Sequence, residues 1–287
     1  MESSEQTFSY KQEMWRHLAD YKLSALGVKK NGIWRKNHRE YAHILPSVVQ
    51  RLNILEPYRD EFWTYLERAH IKLHSDFHHL SSSQAMCFNL FFPFVAEEEH
   101  LQLLTRIFTT DGVIEDTGFE AVLDATEGTN FDFCFKTGES RTLFEVKLTE
   151  SDFGKAKPDE SHITKFETIY SPALNGKFAS GFFTCDVFLN HYQLMRNVWN
   201  LGVGTGDTLV CVVPKANSCL AKEIEFLKNC LSEPYRQRVS VHYLEDVAAT
   251  VKKIIPDDAD RLKEHFRQFR HKYLLDDGRS GTVGGEA

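Results

Sequence analysis

Apolar and polar residues alternate over two neighbouring stretches near the middle of the chain. The apolar positions are Phe131, Phe133 and Phe135 in the first stretch, and Phe144, Val146 and Leu148 in the second. Because successive side chains of a strand point to opposite faces, each stretch predicts a strand with one apolar face. The turn-forming residues Gly138 and Glu139 lie between them, so the pattern predicts a β-hairpin.

The register of this hairpin follows from aligning the two apolar faces. A turn closed around Gly138 pairs Phe133 with Phe144 and therefore places Asp132 opposite Glu145. Like charges that face each other directly destabilise a sheet. A divalent cation bound by both carboxylates would offset the repulsion, and Mg²⁺ prefers oxygen ligands. Lys147 is predicted on the same face as Glu145 and adds a positive charge beside the ion.

The same reading predicts the other elements. Strands are expected near 118–124, 130–136 and 142–149, and again over 208–213 and 239–244. Helices are expected near 94–108, 190–201, 218–231 and 259–274. Three serines at 81–83 can cap a further helix that begins near Gln84. We expect residues 1–80 to be a mainly helical extension with a basic loop, 81–275 to be the main domain, and 276–287 to be disordered.

The charge balance restricts how the protein could meet nucleic acid. The chain has 287 residues and a net charge of −7, which weakens long-range attraction to phosphates. Any basic surface must therefore be local, and basic residues cluster between Lys29 and Arg39. This stretch is interpreted equally well as a solvated connection or as an arm that contacts phosphates.

Cysteine and histidine spacing gives no metal motif. The six cysteines show no CxxC pair and predict reduced, buried thiols, so neither a zinc site nor a histidine-based metal site is expected. The start of the chain lacks the pattern of a signal peptide. The longest apolar run, 88–96, is too short to cross a bilayer. These features predict a soluble, cytoplasmic protein without a membrane partner.

Asp132 followed by Glu145, Val146 and Lys147 resembles the active-site signature of the PD-(D/E)xK nuclease superfamily. The chain is also similar to a bacterial restriction-endonuclease-like subfamily, and this resemblance covers about residues 27–215. Its further motifs are Ser82-Ser83-Gln84-Ala85 with Asn89, Gly128-Thr129-Asn130-Phe131-Asp132-Phe133, Glu150 with Phe153-Gly154, and Tyr192-Gln193-Leu194-Met195-Arg196-Asn197. Phe131 replaces the superfamily's proline, which leaves the ligand set intact.

The resemblance implies a fold and an activity. The fold would be α/β, with an αβββαβ core whose mixed sheet of four to five strands is flanked by helices. The activity would be Mg²⁺-dependent hydrolysis of DNA, of restriction or phage-defence type, with Mn²⁺ able to replace Mg²⁺. Two rivals are a nucleic-acid-binding or assembly component that cuts weakly or only with a partner, and an enzyme acting on another phosphorylated substrate. A homodimer and a partner protein from a defence system are also expected.

The resemblance also assigns roles to residues. The metal ligands would be Asp132, Glu145 and the backbone carbonyl of Val146. Among the other residues of the sequence, Glu120 is the best candidate for an accessory ligand. Lys147 would orient or deprotonate the attacking water, or stabilise the developing charge, and a nearby cation and burial would lower its pKa. Gln193 would orient the lysine or the substrate.

Plainer readings remain for each of these groups. Glu120 could be a surface strand residue, and Gln193 could belong to a solvent-facing helix surface. Lys147 could bridge two acids on an exposed hairpin. The Glu97-Glu98-Glu99 run is read mainly as a solvated face, and alternatively as a source of one carboxylate beside the metal.

Overall fold

The computed structural model describes residues 9–179, 181–202 and 206–275. The part before the main sheet contains helix α1 (Tyr10–Ser24), the short strands β1 (Gly32–Trp34) and β2 (Arg39–Tyr41), and helices α2 (Arg59–Ala69), α3 (Ser83–Ala96) and α4 (Leu103–Phe108). Short 3₁₀ segments cover Ser47–Asn53, Glu56–Tyr58 and Glu98–His100.

The remaining elements build the sheet and the helices on its faces. They are β3 (Ile114–Val122), β4 (Asn130–Thr137), β5 (Ser140–Val146), α5 (Glu160–Lys165), a π-helical segment (Phe166–Tyr170), α6 (Ser171–Leu174), α7 (Cys185–Asn190), α8 (Tyr192–Trp199), β6 (Thr208–Val213), α9 (Ser218–Cys230), a 3₁₀ segment (Tyr235–Arg238), β7 (Val239–Tyr243), α10 (Leu244–Ile254) and α11 (Asp260–Tyr273). The sheet order is β3-β4-β5-β6-β7. Strands β3 to β5 pair antiparallel, whereas β5, β6 and β7 pair in parallel. The predicted mixed sheet flanked by helices is confirmed.

Each face of the sheet has its own apolar core. On one face, Phe133 stacks on Phe91 of α3 with ring centroids 4.3 Å apart, and Phe144 packs against the same ring at 4.8 Å. On the other face, Leu143 belongs to a core that includes Leu194 of α8. The alternation in β5 explains this division, because neighbouring residues 143 and 144 must point to opposite faces.

Helix α3 passes through the first core and carries Pro93 in its interior. A proline has no N–H, so the carbonyl of Asn89, four residues earlier, loses its helical partner. His265 of α11 takes that place, with its Nε2 2.6 Å from the Asn89 carbonyl oxygen. Burial lowers the pKa of His265 to about 4, so its ring is neutral at neutral pH. The proline is therefore accommodated by a tertiary hydrogen bond.

Several predicted elements are confirmed. The helix expected near Gln84 exists, and the Ser82 side chain accepts a hydrogen bond from the Ala85 N–H at its start. The strand over 208–213 has the predicted bounds, and the helices expected over 218–231 and 259–274 are α9 and α11.

Other predictions are wrong in detail. The single helix over 94–108 is broken, because Glu97 leaves the helical region with φ −112° and ψ 84°. The helix expected around 190–201 is α8, which begins after His191 because that residue leaves the helical region with φ −125° and ψ 37°. The basic stretch is not simply a loop, since it includes the β1–β2 hairpin.

Residues on both sides of position 80 contribute to the first core, including Leu18 of α1 and Phe269 of α11. The division into an extension and a main domain stays a prediction, and the tail at 276–287 lies outside the described residues. All six cysteines are free; Cys87, Cys211 and Cys230 are buried as predicted, but Cys219 is exposed. In the described ranges, no helix is long and apolar enough to cross a membrane.

Candidate active site

The candidate site lies where β4 and β5 separate. The two strands pair from Thr137 and Ser140 to Phe133 and Phe144, in the register that the apolar pattern predicts. Gly138 has a positive φ of 56°, as a two-residue hairpin turn requires at its first central position. The predicted hairpin and its register are therefore confirmed as far as the Phe133–Phe144 pair.

Beyond that pair the predicted ladder is wrong. Asp132 and Glu145 are not a ladder pair; the Asp132 carboxylate instead accepts a hydrogen bond from the Val146 N–H at 2.7 Å. A side chain thus replaces the main-chain acceptor that a continuing hairpin would supply. Strand β5 stays beside β6, where Glu145 pairs with Cys211.

The separation also changes the position of Phe131. The alternating pattern predicts Phe131 on the same face as Phe133, but it lies in the opposite core, with Leu143. Phe133 keeps its place in the core against α3. Strict alternation holds only while a strand remains regular, and β4 loses its β5 partner between these two residues.

Glu145 and Lys147 form a close pair inside the protein. Lys147 Nζ is 2.8 Å from Glu145 Oε1, and the two side chains are 17% and 4% exposed. Asn197 of α8 donates its Nδ2 to Glu145 Oε2 at 3.0 Å, so both carboxylate oxygens have donors. This burial disagrees with the plainer reading in which Lys147 bridges acids on an exposed hairpin.

Asp132 carries the clearest electrostatic signature of the site. Burial raises the pKa of the Asp132 carboxyl well above its usual range, and the charge of Glu145 raises it further. Lys147 and the hydrogen bond from Val146 act in the opposite direction but do not outweigh them. The residues present leave this pair of carboxylates short of positive charge, so their donor set fits a divalent cation.

The pKa of Lys147 differs from the sequence expectation. Burial lowers it, but the carboxylates of Glu145, Asp132 and Glu150 outweigh burial and raise the pKa above its usual value. Without a bound cation, the surrounding protein groups therefore raise the pKa of Lys147, whereas the sequence predicts that it is lowered. Lys147 is an ammonium group at neutral pH.

Glu120 of β3 lies next to Asp132 of β4. The neighbouring pairs Phe119–Phe133 and Ala121–Phe131 place Glu120 opposite Asp132. Its backbone has a positive φ of 50°, which marks an irregularity in the strand at this point. The Gln84 amide donates to Glu120 Oε1 at 2.7 Å, so the resembled Ser-Ser-Gln motif meets the site here. The Glu120 charge also contributes to raising the pKa of Asp132.

Gln193 reaches the carboxylates only through another residue, Asn197, and not directly as predicted. Its Nε2 donates to Asn197 Oδ1 at 3.0 Å, and Asn197 in turn contacts Glu145. Asn197 is thus the α8 residue that touches the site. The spacing of four residues between Gln193 and Asn197 puts both on one helix face, but only the packing of α8 shows which of them reaches Glu145.

Arg196, a member of the same resembled motif, binds a different acid. It pairs with Glu127 of the β3–β4 loop, whose side chain is 1% exposed. Tyr170 donates its hydroxyl to Glu127 at 2.9 Å, and the Thr129 N–H donates at 2.8 Å. Burial would raise the pKa of Glu127, but hydrogen bonds from Thr129 and Arg196 lower it below its usual value. This group fastens the loop to α8.

Two other residues from the sequence motifs have structural contacts. Asn89 lies in the first core, where its side chain accepts from the Leu55 N–H at 2.8 Å. Glu150 accepts from the Leu148 N–H at 2.8 Å and closes the turn that follows Lys147. Glu97 of the acidic run lies near His100 and Arg261, at 3.6 and 3.7 Å, and these contacts favour the reading in which it is not a site residue.

A mixed sheet with two acids and a lysine at the point where its strands separate is typical of a restriction-endonuclease-like protein. A family model described as "Restriction Endonuclease associating with ARP" matches residues 15–274. The chain belongs to this restriction-endonuclease-like family, which indicates a nuclease. Searches of curated proteins and of solved structures each found no match.

Proposed function

We propose that this protein is a Mg²⁺-dependent endonuclease that hydrolyses phosphodiester bonds of DNA, of restriction or phage-defence type. The observation that carries the proposal is the convergence of Asp132, Glu145 and Lys147 in a partly buried position where the two strands separate. The Asp132 carboxylate accepts from the N–H of Val146, the residue between Glu145 and Lys147, which brings the two acids to the same point of the sheet.

Asp132 and Glu145 would hold the metal ion, together with the backbone carbonyl of Val146, and Glu120 would add a further oxygen. A divalent ion held there would polarise the phosphoryl oxygen and lower the pKa of bound water. The donors are all oxygens, which suits Mg²⁺ or Mn²⁺ better than a softer ion. Glu120 fits the accessory role because it is partly buried opposite Asp132 and held by Gln84.

The proposed role of Lys147 is charge stabilisation rather than proton abstraction. Its raised pKa keeps the side chain an ammonium group, which can attract the scissile phosphate and stabilise the additional negative charge of the transition state. Asn197 keeps Glu145 oriented, and Gln193 orients Asn197. In this proposal Gln193 is a positioning residue.

The exposed β1–β2 hairpin is the proposed local contact for DNA. Arg35, Lys36 and Arg39 are exposed in the hairpin, and Lys29 and Lys30 are exposed just before it. Their charges would offset the overall charge of −7 at one surface. The cytoplasmic location and a homodimer, which would supply two active sites for cutting both strands, are further parts of the proposal.

The test is cleavage of plasmid, linear duplex DNA, single-stranded DNA and RNA with Mg²⁺, Mn²⁺ or EDTA. We expect cleavage of DNA that needs the metal, and a loss of at least about 100-fold in Glu145→Gln and Lys147→Met, the scale of a group that acts in the transition state. Glu139→Gln in the exposed hairpin turn is the matched control and should cut like the wild type. Cleavage that survives both site substitutions would reject the assigned site.

The family description supports a second version of the activity. Because that description names association with ARP, we propose that a partner protein contributes to cleavage by this chain. The same assay is repeated with the chain co-purified with its partner. Salt-sensitive DNA binding without cleavage by the isolated chain, followed by cleavage in the complex, would favour this version.

A further inference from the structure

A second group of metal-ligating side chains lies outside the carboxylate site, in the turn before α3. Asp76, His78 and His79 each present one ligand atom, and these three atoms lie within 4.8 Å of one another. The spacing Asp-x-His-His is not an HExxH motif, so only the folded turn shows the group.

Two of the ring nitrogens have no hydrogen-bond partner. Within the described part of the chain, His78 Nδ1 and His79 Nε2 are buried and accept or donate no hydrogen bond. The His78 side chain is almost wholly buried, with 2% exposure of the residue. Buried polar atoms normally find a partner because leaving one unsatisfied costs about 1–3 kcal/mol. A bound cation is a partner that both nitrogens could share.

The contacts around the group prepare these atoms for a metal. The other ring nitrogen of His78, Nε2, is 3.0 Å from the Ile33 carbonyl, so it carries the proton and leaves Nδ1 with a free lone pair. Trp34 Nε1 donates to Asp76 Oδ2 at 3.2 Å. Metal-binding histidines and carboxylates are typically oriented by such outer hydrogen bonds.

The spacing of Asp76 and His79 is close to that of two ligands of a tetrahedral ion. His79 Nε2 lies 3.6 Å from Asp76 Oδ1. Two ligands at the usual zinc bond lengths are roughly 3.4 Å apart in a tetrahedron. The turn itself is held in place, because the Asn53 amide donates to the carbonyls of Phe77 and His79 at 2.6 and 2.7 Å.

We propose that Asp76, His78 and His79 bind a borderline divalent cation, Zn²⁺ by preference, and that this ion ties the β1–β2 hairpin to the edge of the active site. Two imidazole nitrogens and one carboxylate select such an ion over Mg²⁺. Both outer hydrogen bonds come from β1, so the ion would hold that strand. A cleft of about 260 Å³ joins Asp76 and His79 to Glu150, close after Lys147, and leaves room for a water ligand.

The test uses the full chain, stripped of metal and then dialysed against Zn²⁺ in excess Mg²⁺, which occupies the all-oxygen site. We expect one Zn²⁺ per chain by elemental analysis, and an affinity at least about 10-fold weaker in Asp76→Asn and His79→Gln. Asp76→Asn has nearly the same shape and keeps an acceptor for Trp34, so it should fold. His162→Asn removes a histidine that also pairs with an aspartate, Asp159 at 2.8 Å, and is the matched control.

A second measurement tests the tether. Arg35 and Lys36 are exposed in the turn of the hairpin, so trypsin can cut there. Zn²⁺ should slow this cleavage several-fold in the wild type and in His162→Asn, but not in Asp76→Asn. Absence of Zn²⁺ uptake, or equal uptake by all variants, would overturn the site. Uptake without protection from trypsin would overturn the tether. Neither measurement depends on DNA cleavage, so both stand apart from the proposed nuclease activity.

Discussion

Two acids of the central sheet region, the buried Glu127 and the half-buried Asp132, differ in how well the protein compensates their charge. Glu127 has Arg196, Tyr170 and the Thr129 N–H as partners, and its pKa is lowered despite burial. Asp132 has one hydrogen bond from Val146 and a neighbouring lysine that is shared with Glu145, and its pKa is raised.

Under the proposed function, this difference separates an acid that serves the fold from one that binds the metal. A charge that serves only the fold is stabilised fully by the groups around it, as at Glu127. A charge that binds a ligand is only partly compensated by protein groups, so it is unfavourable until the ligand binds. Asp132 has that property, and it lies where a cation would relieve it.

The largest expected effect is a difference in stability between two variants, in each of which one acid is replaced by its amide. Glu127→Gln should destabilise the protein by about 3 kcal/mol, since it leaves the Arg196 guanidinium without its charged partner in a buried position. Asp132→Asn should change stability by less than about 1 kcal/mol in EDTA, and in the stabilising direction, because it removes an unfavourable charge while keeping an acceptor for Val146.

Urea unfolding of both variants beside the wild type measures this contrast. Glu139→Gln in the exposed hairpin turn serves as the control and should match the wild type. If Asp132→Asn lost as much stability as Glu127→Gln, the distinction between the two acids would be refuted.

A smaller effect should appear as opposite pH dependences. The folded pKa of Asp132 lies above its usual value of 3.8, so in EDTA the wild type should lose stability relative to Asp132→Asn as the pH rises above about 4. The folded pKa of Glu127 lies below its usual value of 4.5, so the advantage of the wild type over Glu127→Gln is fully present above that pH and is lost as the pH falls.

Thermal unfolding between pH 3 and pH 8 records both trends, and added Mg²⁺ should remove the first of them only. Parallel curves for the two acids, or a Mg²⁺ effect on the Glu127 comparison, would contradict the assignment.

The smallest expected effect concerns α8. Asn197→Ala should reduce cleavage by about 10-fold, because Asn197 touches Glu145 directly, and Gln193→Ala should reduce it less, because it acts through Asn197. The measurement is the cleavage rate as a function of Mg²⁺ concentration, with thermal unfolding to confirm the fold. A larger loss in Gln193→Ala than in Asn197→Ala would reverse the order of contacts.

The sequence alone determined the hairpin and its charged end. The apolar stripes of β4 and β5 and the turn at Gly138 specify the register up to the Phe133–Phe144 pair, because a shift of one residue would expose every phenylalanine. The resemblance to the nuclease signature then identified Asp132, Glu145 and Lys147, and the family match supports the class of protein.

Only the tertiary structure decided how these groups meet. The Asp132 side chain takes the Val146 N–H and ends the ladder, an exchange of acceptors that periodicity does not encode. The choice of Asn197 over Gln193 depends on the packing of α8, and the Asp76–His78–His79 group depends on a turn held by Asn53. The physical reason is the same in each case: side-chain patterns report which face is buried, whereas these contacts join residues that are distant in the chain.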